Sequence, residues 1–373
     1  MGRCAVTAGA ALHEKVSIMD VEDKIKIATR NTSEVVVLSE LAEILRGGEA
    51  KGYIGVEPSG LFHIGWLIWA QKVRDLLDVG IKMKILEATW HAWINDKLGG
   101  DLEMIHKCAD YIEQVLKALE VDKGDIEYVR AEELVNDSEY WRLVINIAKN
   151  LSLARVRRAI TIMGRKESES ILDFSKLIYP CMQVADIFYM DLDVCLGGTD
   201  QRKAHMLARE IAEKRGWKKP VAIHTPLLIS LRPPMIGENL DEVDLKMSKS
   251  KPETCIFVHD APEEIEKKIE GAYCPMKVID MNPVIEICRY ILFARPGFKL
   301  YVEREEKHGG DLYVESFDEL VHLYSKGELH PQDLKRAVAK ALARMLEPVR
   351  NYFETNEEAE ELLKVMRSAT ITR

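Results

Sequence analysis

No run of apolar residues in this 373-residue chain approaches the ~20 needed to cross a bilayer. The first residues also lack the apolar core of a secretory leader. Cysteine is sparse and scattered. The seven (Cys4, Cys108, Cys181, Cys195, Cys255, Cys274, Cys288) form no CxxC pair, which argues against a zinc ribbon or a disulfide frame and fits a reducing compartment. No internal repeat or low-complexity tract stands out, so a solenoid is not expected. Positive charge is in deficit, with 52 Lys and Arg against 61 Asp and Glu, and a net charge of −9 does not advertise nucleic acid. What is present is a globular composition, 47% apolar and 30% charged, with length enough for two domains. A soluble, cytoplasmic protein is expected, with no membrane partner.

Charge is nevertheless uneven. KNLSLARVRRAITIMGRK (149–166) carries Lys149, Arg155, Arg157, Arg158, Arg165 and Lys166 and no acidic residue. In a helix, Arg155 and Arg158 would share a face by their i, i+3 spacing. A solvated helix face is the commoner fate of such a run.

Residues 20–50 read as polar amphipathic helices, the second running 39–46, capped by Ser39 and stopped by Gly47-Gly48. From there strands and helices alternate. KGYIGV leads to an apolar-periodic stretch over 64–77, and KMKILEATWHAWI reads as a strand plus its loop. DLEMIHKCADYIEQVLKALE is a helix and DIEYVRAEEL a strand. A helix over 177–189, DVCLGG as a strand and a helix over 201–214 follow. This alternation predicts an α/β fold, a parallel sheet covered on both faces, with ligands beyond the carboxyl ends of its strands. Periodicity vanishes in RPPMIGENLDEVDLKMSKSKPE, a polar loop long enough to be functional or mobile. Past about residue 275 the texture changes to two short β-prone pieces (298–303 and 312–314) and helices over 317–326 and 331–353. The expected domains are an N-terminal helical extension (1–50), a catalytic domain (51–278, with a loop at 233–255) and a smaller, mostly α-helical domain (279–373).

Two motifs carry the chemistry. In GYIGVEPSGLFHIGW (52–66) a strand ends in a polar turn, and His63 and Gly65 stand where a helix would open. A helix N-terminus offers unpaired N–H groups to phosphate, Gly60 lets the turn bend, and Gly65 leaves room for something flat. A histidine so placed is more commonly a cap or a satisfied core residue. The second motif, Lys246-Met247-Ser248-Lys249-Ser250, places two lysines in the long loop, where they could close over a leaving pyrophosphate. HIG followed by KMSKS across an α/β region is a strong combination.

On these residues the chain resembles the class I aminoacyl-tRNA synthetases, and within them the tyrosyl enzymes of archaeal and eukaryotic type. The resemblance covers about 52–353 and rests on YIGVEPSG, HIGW, WHAWIND, YPCMQVADI, GGTDQRK, KMSKSK, GGDL and HPQDLK. It implies a Rossmann-like catalytic domain with a helical anticodon-binding domain. It also implies tyrosyl-adenylate formation from L-tyrosine and ATP with Mg2+, transfer to tRNA-Tyr, and a homodimer. The resemblance puts His63, Lys246 and Lys249 at transition-state stabilisation, with no protein nucleophile and no protein metal site. Tyrosine would be held by Tyr53, Tyr179, Gln183, Asp186, Gln201 and His91, with Tyr53 and Asp186 on the phenol group. ATP would meet Gly55, Ser59, Gly60, His63, Gly65, Gly197, Gly198, Asp200, Lys246, Met247, Ser248 and Lys249. The tRNA would meet Arg158, Arg202, Lys203, His308 and Asp333.

Departures from the family pattern are Trp66 where HIGH has its second histidine, Thr89 where many relatives carry aspartate, and His308 where phenylalanine is common. The sequence stops soon after the anticodon helices, so the appended RNA-binding domain of bacterial tyrosyl enzymes is not expected. Rival readings are a tryptophanyl enzyme, a silent paralogue that binds tRNA or protein, and a small adenylyltransferase. The Tyr53/Asp186 pair disfavours the first, the intact His63, Lys246 and Lys249 the second, and the helical C-terminal region the third.

Overall fold

In a computed structural model, residues 19–164, 173–233 and 245–369 are described, apart from the His308 side chain. Arg165, Lys166 and most of the polar loop therefore lie outside the described residues.

The chain divides into two compact units, and the divisions do not fall at 50 and 278. One unit comprises the residues up to Gly60 with Trp69–Pro226 and Val365–Arg373; the other comprises Leu61–Ile68 and Leu227–Lys364.

The first unit is built on a six-stranded sheet. Its strands are β1 (Glu34–Val36), β2 (Ala50–Val56), β3 (Ile81–Glu87), β4 (Glu127–Arg130), β5 (Val194–Gly198) and β6 (Val221–Thr225), in the order β1-β6-β5-β2-β3-β4. All neighbours pair in parallel except β1, which runs antiparallel to β6 with Glu34 opposite His224. This is an α/β sheet of Rossmann type. Strands buried on both faces need no alternation, and β6 (VAIHT) is buried at every position. The chain winds from β2 to β3 and β4 on one side, then returns to β5 and β6 on the other. The order reverses between β2 and β5, where a ligand crevice is expected at the carboxyl ends. Helices Leu102–Ala118, Ser138–Lys149, Ser175–Tyr189 and Arg202–Arg215 accompany this sheet. Asp101 caps the first by accepting from the N–H groups of Glu103 and Met104.

Several local expectations change. Residues 20–50 hold β1 between helices Val21–Thr29 and Leu38–Gly47, so they contribute a strand to the sheet. Val37, not Ser39, occupies the N-cap of the second helix, with no side-chain hydrogen bond. WHAWI belongs to a short helix, Thr89–Ile94, and the strand expected over 125–134 gives way after Arg130 to helix Ala131–Val135.

The second unit contains helices Pro262–Glu270 and Pro331–Thr355, which pack together. Leu334, Val338, Leu342, Leu346, Val349 and Phe353 form the buried stripe of the longer one, at helical spacing. The two β-prone pieces pair as an antiparallel hairpin, β7 (Leu300–Val302) with β8 (Leu312–Val314). Helix Phe317–Lys326 follows, capped by Ser316.

Candidate active site

In the first unit, β2 ends beside β5, with Tyr53 paired in register to Cys195. Helix Ser175–Tyr189 carries Tyr179, Gln183 and Asp186, the first two four residues apart and so on one face. A buried polar constellation results. Asp186 is 1% exposed, and its Oδ1 accepts a 2.7 Å hydrogen bond from the Tyr140 hydroxyl. His91 Nε2 lies 3.2 Å from Asp186 Oδ2, without the alignment of a hydrogen bond. The imidazole stands edge-on to Tyr179, centroids 4.9 Å apart. Burial pushes the Tyr53 phenol well above its ordinary pKa, with Cys195 and Asp186 adding to the shift and a hydrogen bond from Gln183 opposing it. The Tyr140 phenol is raised as well, by burial first and then by Asp186. Both hydroxyls stay protonated and able to donate.

Gln183 donates from Nε2 to Gln201 Oε1 at 3.1 Å, and Gln201 donates to the Ile162 carbonyl at 3.0 Å. Gln183 Oε1 is buried with no hydrogen-bond partner among the described residues, an acceptor suited to an incoming N–H donor. Tyr179 donates to Glu57 Oε1 at 3.4 Å, an oxygen that also takes a 2.9 Å bond from Asn95.

Tyr140, Glu57 and Asn95 escaped the sequence reading. Tyr140 sits 46 residues before Asp186, on a helix whose apolar stripe explains it as core, so no local signal marks it. Thr89 donates to both oxygens of Glu132, at 3.0 and 2.9 Å, and His106 Nε2 lies 2.7 Å from Glu132 Oε1. A carboxylate therefore stands at Thr89 after all, supplied from helix Ala131–Val135.

Gly197 lies on β5, where an added Cβ would come within 2.9 Å of Gln201 Cβ, so only glycine fits. Gly198 caps the short turn Thr199–Gln201, which carries Asp200. Gly55 is exposed on β2, and Ser59 donates to the Glu57 carbonyl at 3.1 Å. Gly60 has φ +106°, a conformation other residues rarely adopt, and its N–H points to Cys108 Sγ at 3.2 Å.

In the second unit, His63 and the KMSKS residues are brought together. Chain 62–64 is tied to 256–258: Ile64 N–H donates to the Ile256 carbonyl at 2.9 Å, and Val258 N–H to the Phe62 carbonyl at 3.0 Å. Met247 N–H donates to the Leu228 carbonyl at 2.7 Å and Ser230 N–H to the Leu245 carbonyl at 2.8 Å, so the start of KMSKS is held along 228–230. Met247 is buried, an anchor rather than a free loop residue. Ser248 and Ser250 bond through their hydroxyls at 3.0 Å.

The expected open helix terminus at His63 is not what forms. Ile64–Trp66 is a three-residue 3-10 turn whose N–H groups are engaged by Ile256, His63 Nδ1 (3.2 Å to Gly65 N) and the His63 carbonyl (2.9 Å to Trp66 N). The space at Gly65 is filled by the imidazole itself, because a Cβ there would lie 2.9 Å from His63 Cε1. Since Nδ1 accepts, the proton resides on Nε2, which can donate. Burial first, then Lys249 and Lys246, hold the His63 pKa well below the ordinary histidine value, so the ring is neutral. Lys249 is itself buried, with Nζ 3.6 Å from the centroid of the Trp66 ring.

These motifs and this sheet order have counterparts. The model of the class I tRNA synthetases (W and Y) matches residues 46–347. The chain belongs to that family. A tyrosine–tRNA ligase of Sulfurisphaera tokodaii is 58% identical over 345 residues, spanning 91% of this chain and 95% of the relative. The crystal structure of tyrosyl-tRNA synthetase from Aeropyrum pernix superposes with a TM-score of 0.84 at 50% identity, covering 94% of this chain and 99% of the other. That of the Pyrococcus horikoshii enzyme complexed with L-tyrosine gives 0.85 at 42% identity, covering 94% and 100%. As a member of the family, the chain takes ATP as a substrate.

The residues expected at tRNA are partly occupied. Arg202 pairs with Glu34, and Lys203 Nζ donates to Thr161 Oγ1 at 3.0 Å. Arg155, in the basic run but not among those residues, pairs with Glu210 at 2.8 Å. Arg158 is exposed on helix Leu153–Ala159. Asp333 lies in the first turn of Pro331–Thr355 and pairs with Arg336 at 2.5 Å.

Proposed function

We infer that this protein is a tyrosine–tRNA ligase. It joins L-tyrosine to ATP, giving tyrosyl-adenylate and pyrophosphate, and passes the tyrosyl group to the terminal adenosine of tRNA-Tyr. The observation that carries the choice of amino acid is the buried Asp186, with the Tyr140 hydroxyl on one oxygen and His91 beside the other. A phenol hydroxyl donating to Asp186 satisfies this carboxylate. An aromatic amino acid without the hydroxyl leaves it short of a partner, at a cost of about 1–3 kcal/mol or more.

Each role follows from local chemistry. Tyr53 and Asp186 hold the phenol group. Tyr179, Gln183 and Gln201 receive the ammonium, for which Gln183 Oε1 is the vacant acceptor. Gly197, Gly198 and Asp200 take the adenosine side, with Gly55, Ser59 and Gly60 lining the preceding turn. The tyrosine carboxylate attacks the α-phosphorus, the bond to the β-phosphate oxygen breaks, and pyrophosphate leaves with its electron pair. His63 contributes an Nε2–H donor without net charge, and Lys246 and Lys249 supply the charge that offsets the growing negative charge on the phosphates. Mg2+ would come with ATP and would neutralise phosphate charge. In the second step a ribose hydroxyl of the tRNA attacks the tyrosyl carbonyl and AMP leaves.

Arg158, Arg202 and Lys203 would contact the acceptor stem, and His308 and Asp333 the anticodon. A cytoplasmic homodimer is the form we propose. No helix among the described residues is long and apolar enough to cross a membrane.

Amino-acid-dependent ATP–pyrophosphate exchange, with tyrosine, tryptophan and phenylalanine run in parallel, tests this reading. Exchange with tyrosine alone is expected. Exchange with tryptophan instead would overturn the pocket assignment, and none with any of the three would overturn the enzyme.

A further inference from the structure

The short segment 228–231 is the seat of the KMSKS motif, and it is bonded along both edges. On one edge Met247 N–H donates to the Leu228 carbonyl at 2.7 Å and Ser230 N–H to the Leu245 carbonyl at 2.8 Å, which sets Ile229 opposite Lys246 in antiparallel pairing. In a pair flanked by bonds in this way, the residue's own N–H points away from its neighbour. The Ile229 N–H accordingly turns to the other edge and donates to Glu286 Oε2 at 3.1 Å. Leu231 is tied as well, its N–H to the Thr254 carbonyl at 3.1 Å and its carbonyl to the Tyr273 N–H at 2.8 Å. All these bonds join backbone to backbone except the one to Glu286, so that is the bond a substitution can remove. Glu286 is fixed in turn. It lies on the short helix Pro283–Ile287, whose first N–H groups are taken by the buried Asn282, 3.1 Å from Val284 N and 3.3 Å from Ile285 N. Burial pushes the Glu286 carboxyl up to about 7, with the Ile229 bond and Arg289 opposing, and an oxygen accepts whether or not the carboxyl is protonated.

We propose that Glu286 is a positioning residue for adenylate formation: by holding Ile229 from the edge opposite Lys246, it fixes the backbone strip against which the KMSKS motif is set. The inference rests on the tyrosine–tRNA ligase reading and adds a residue to it. Glu286 touches no reacting atom, and its effect passes through 228–230 to Lys246. Without the acceptor, the Ile229 N–H loses its partner and the strip loses its tie on that side. A transition state stabilised by placed charge is sensitive to such a shift, since a displacement of about 1 Å can cost about a hundredfold in rate. Loss of the bond should therefore slow adenylate formation and spare tyrosine binding, which belongs to residues of the other unit.

The test measures adenylate formation under single-turnover conditions, at saturating ATP and tyrosine and without tRNA, with tyrosine affinity measured on each protein. The proteins are wild type, Glu286→Gln, Glu286→Asp, Glu286→Leu, Lys246→Ala and the Glu286→Leu/Lys246→Ala double variant. Wild-type activity with tyrosine checks the underlying reading separately; its absence would sink that reading, not only this residue. Given wild-type activity, Glu286→Leu should slow the step roughly three- to tenfold, while Glu286→Gln, which keeps an oxygen acceptor at full reach, should stay within about twofold of wild type. Glu286→Asp keeps the charge but draws the acceptor back by one methylene; it should be slowed too, and it carries the test if the leucine variant fails to fold. The leucine change should have little further effect once Lys246 is gone. Unchanged rates in the aspartate and leucine variants would overturn the proposal. So would an equal loss with and without Lys246, or a tyrosine affinity that falls in step with the rate, either of which would mean a general packing role.

Discussion

The Tyr140 hydroxyl donates to Asp186 Oδ1 at 2.7 Å, and both side chains are buried. Burial and the neighbouring carboxylate raise the phenol's pKa, so the proton stays on Tyr140. This bond fixes the rotamer of Asp186 and uses one of its oxygens, leaving the other to face His91 and an incoming hydroxyl.

Tyr140→Phe should therefore weaken tyrosine binding while leaving ATP binding intact. One carboxylate oxygen loses its donor, worth about 1–3 kcal/mol, or a rise in the tyrosine KM of roughly fivefold to a hundredfold. Steady-state exchange kinetics at varied tyrosine would read it, and an unchanged KM would remove Tyr140 from the pocket.

Gly65→Ala should strike the other unit. The new Cβ would come within 2.9 Å of His63 Cε1 and 3.0 Å of Nδ1, so the imidazole must turn and lose its bond from the Gly65 N–H. We expect kcat for adenylate formation to fall about tenfold or more, with tyrosine affinity preserved. Equilibrium binding of tyrosine alongside the exchange assay separates the two.

Stability should fall as the solution is acidified. His205 is held down to about 3 by burial first and by its stacked neighbour His224, 3.0 Å away nitrogen to nitrogen. Burial lowers His224 and His63 too. A histidine with a depressed folded pKa binds fewer protons folded than unfolded, so stability rises with pH below the ordinary value near 6.5 and levels off above it. For His205 the slope is about 1.4 kcal/mol per pH unit between roughly 6 and 3. Urea midpoints at pH 7, 6 and 5 measure it, and His205→Gln should flatten the dependence.

Asp333→Ala should leave exchange untouched and lower the efficiency of tRNA charging, by about 1.5–3 kcal/mol if the carboxylate accepts from a base. The same change removes a first-turn acid and the Arg336 pair, worth only about 0.3–1 kcal/mol of stability. Aminoacylation assays with thermal melting distinguish the two contributions. Loss of exchange as well would assign Asp333 a structural role.

Motif residues and long elements were legible because their signals are local: the alternation from β2 onward, the long helical stretches, and the two short β-prone pieces that pair as β7 and β8. The strand β1 was not, since three residues make a strand only through pairing with β6, nearly two hundred positions on. β6 itself is fully buried and shows no alternation to mark it. The chemistry followed the same division. Asp186, Gln183 and His63 could be picked from their motifs. Tyr140 and the hold of Glu286 on Ile229 depend on contacts between distant segments, and no spacing rule reaches them.

β1 also bears on where this protein can be shortened. Its antiparallel pairing closes the outer edge of β6, a strand of five buried residues. A version trimmed at residue 50 would bare a row of unpaired N–H and C=O groups on an apolar strand, a ready template for the same strand of another molecule. Such a trimmed protein should precipitate during purification even though every residue assigned to the reaction is still present. The segment before residue 50 thus acts as a guard against self-association.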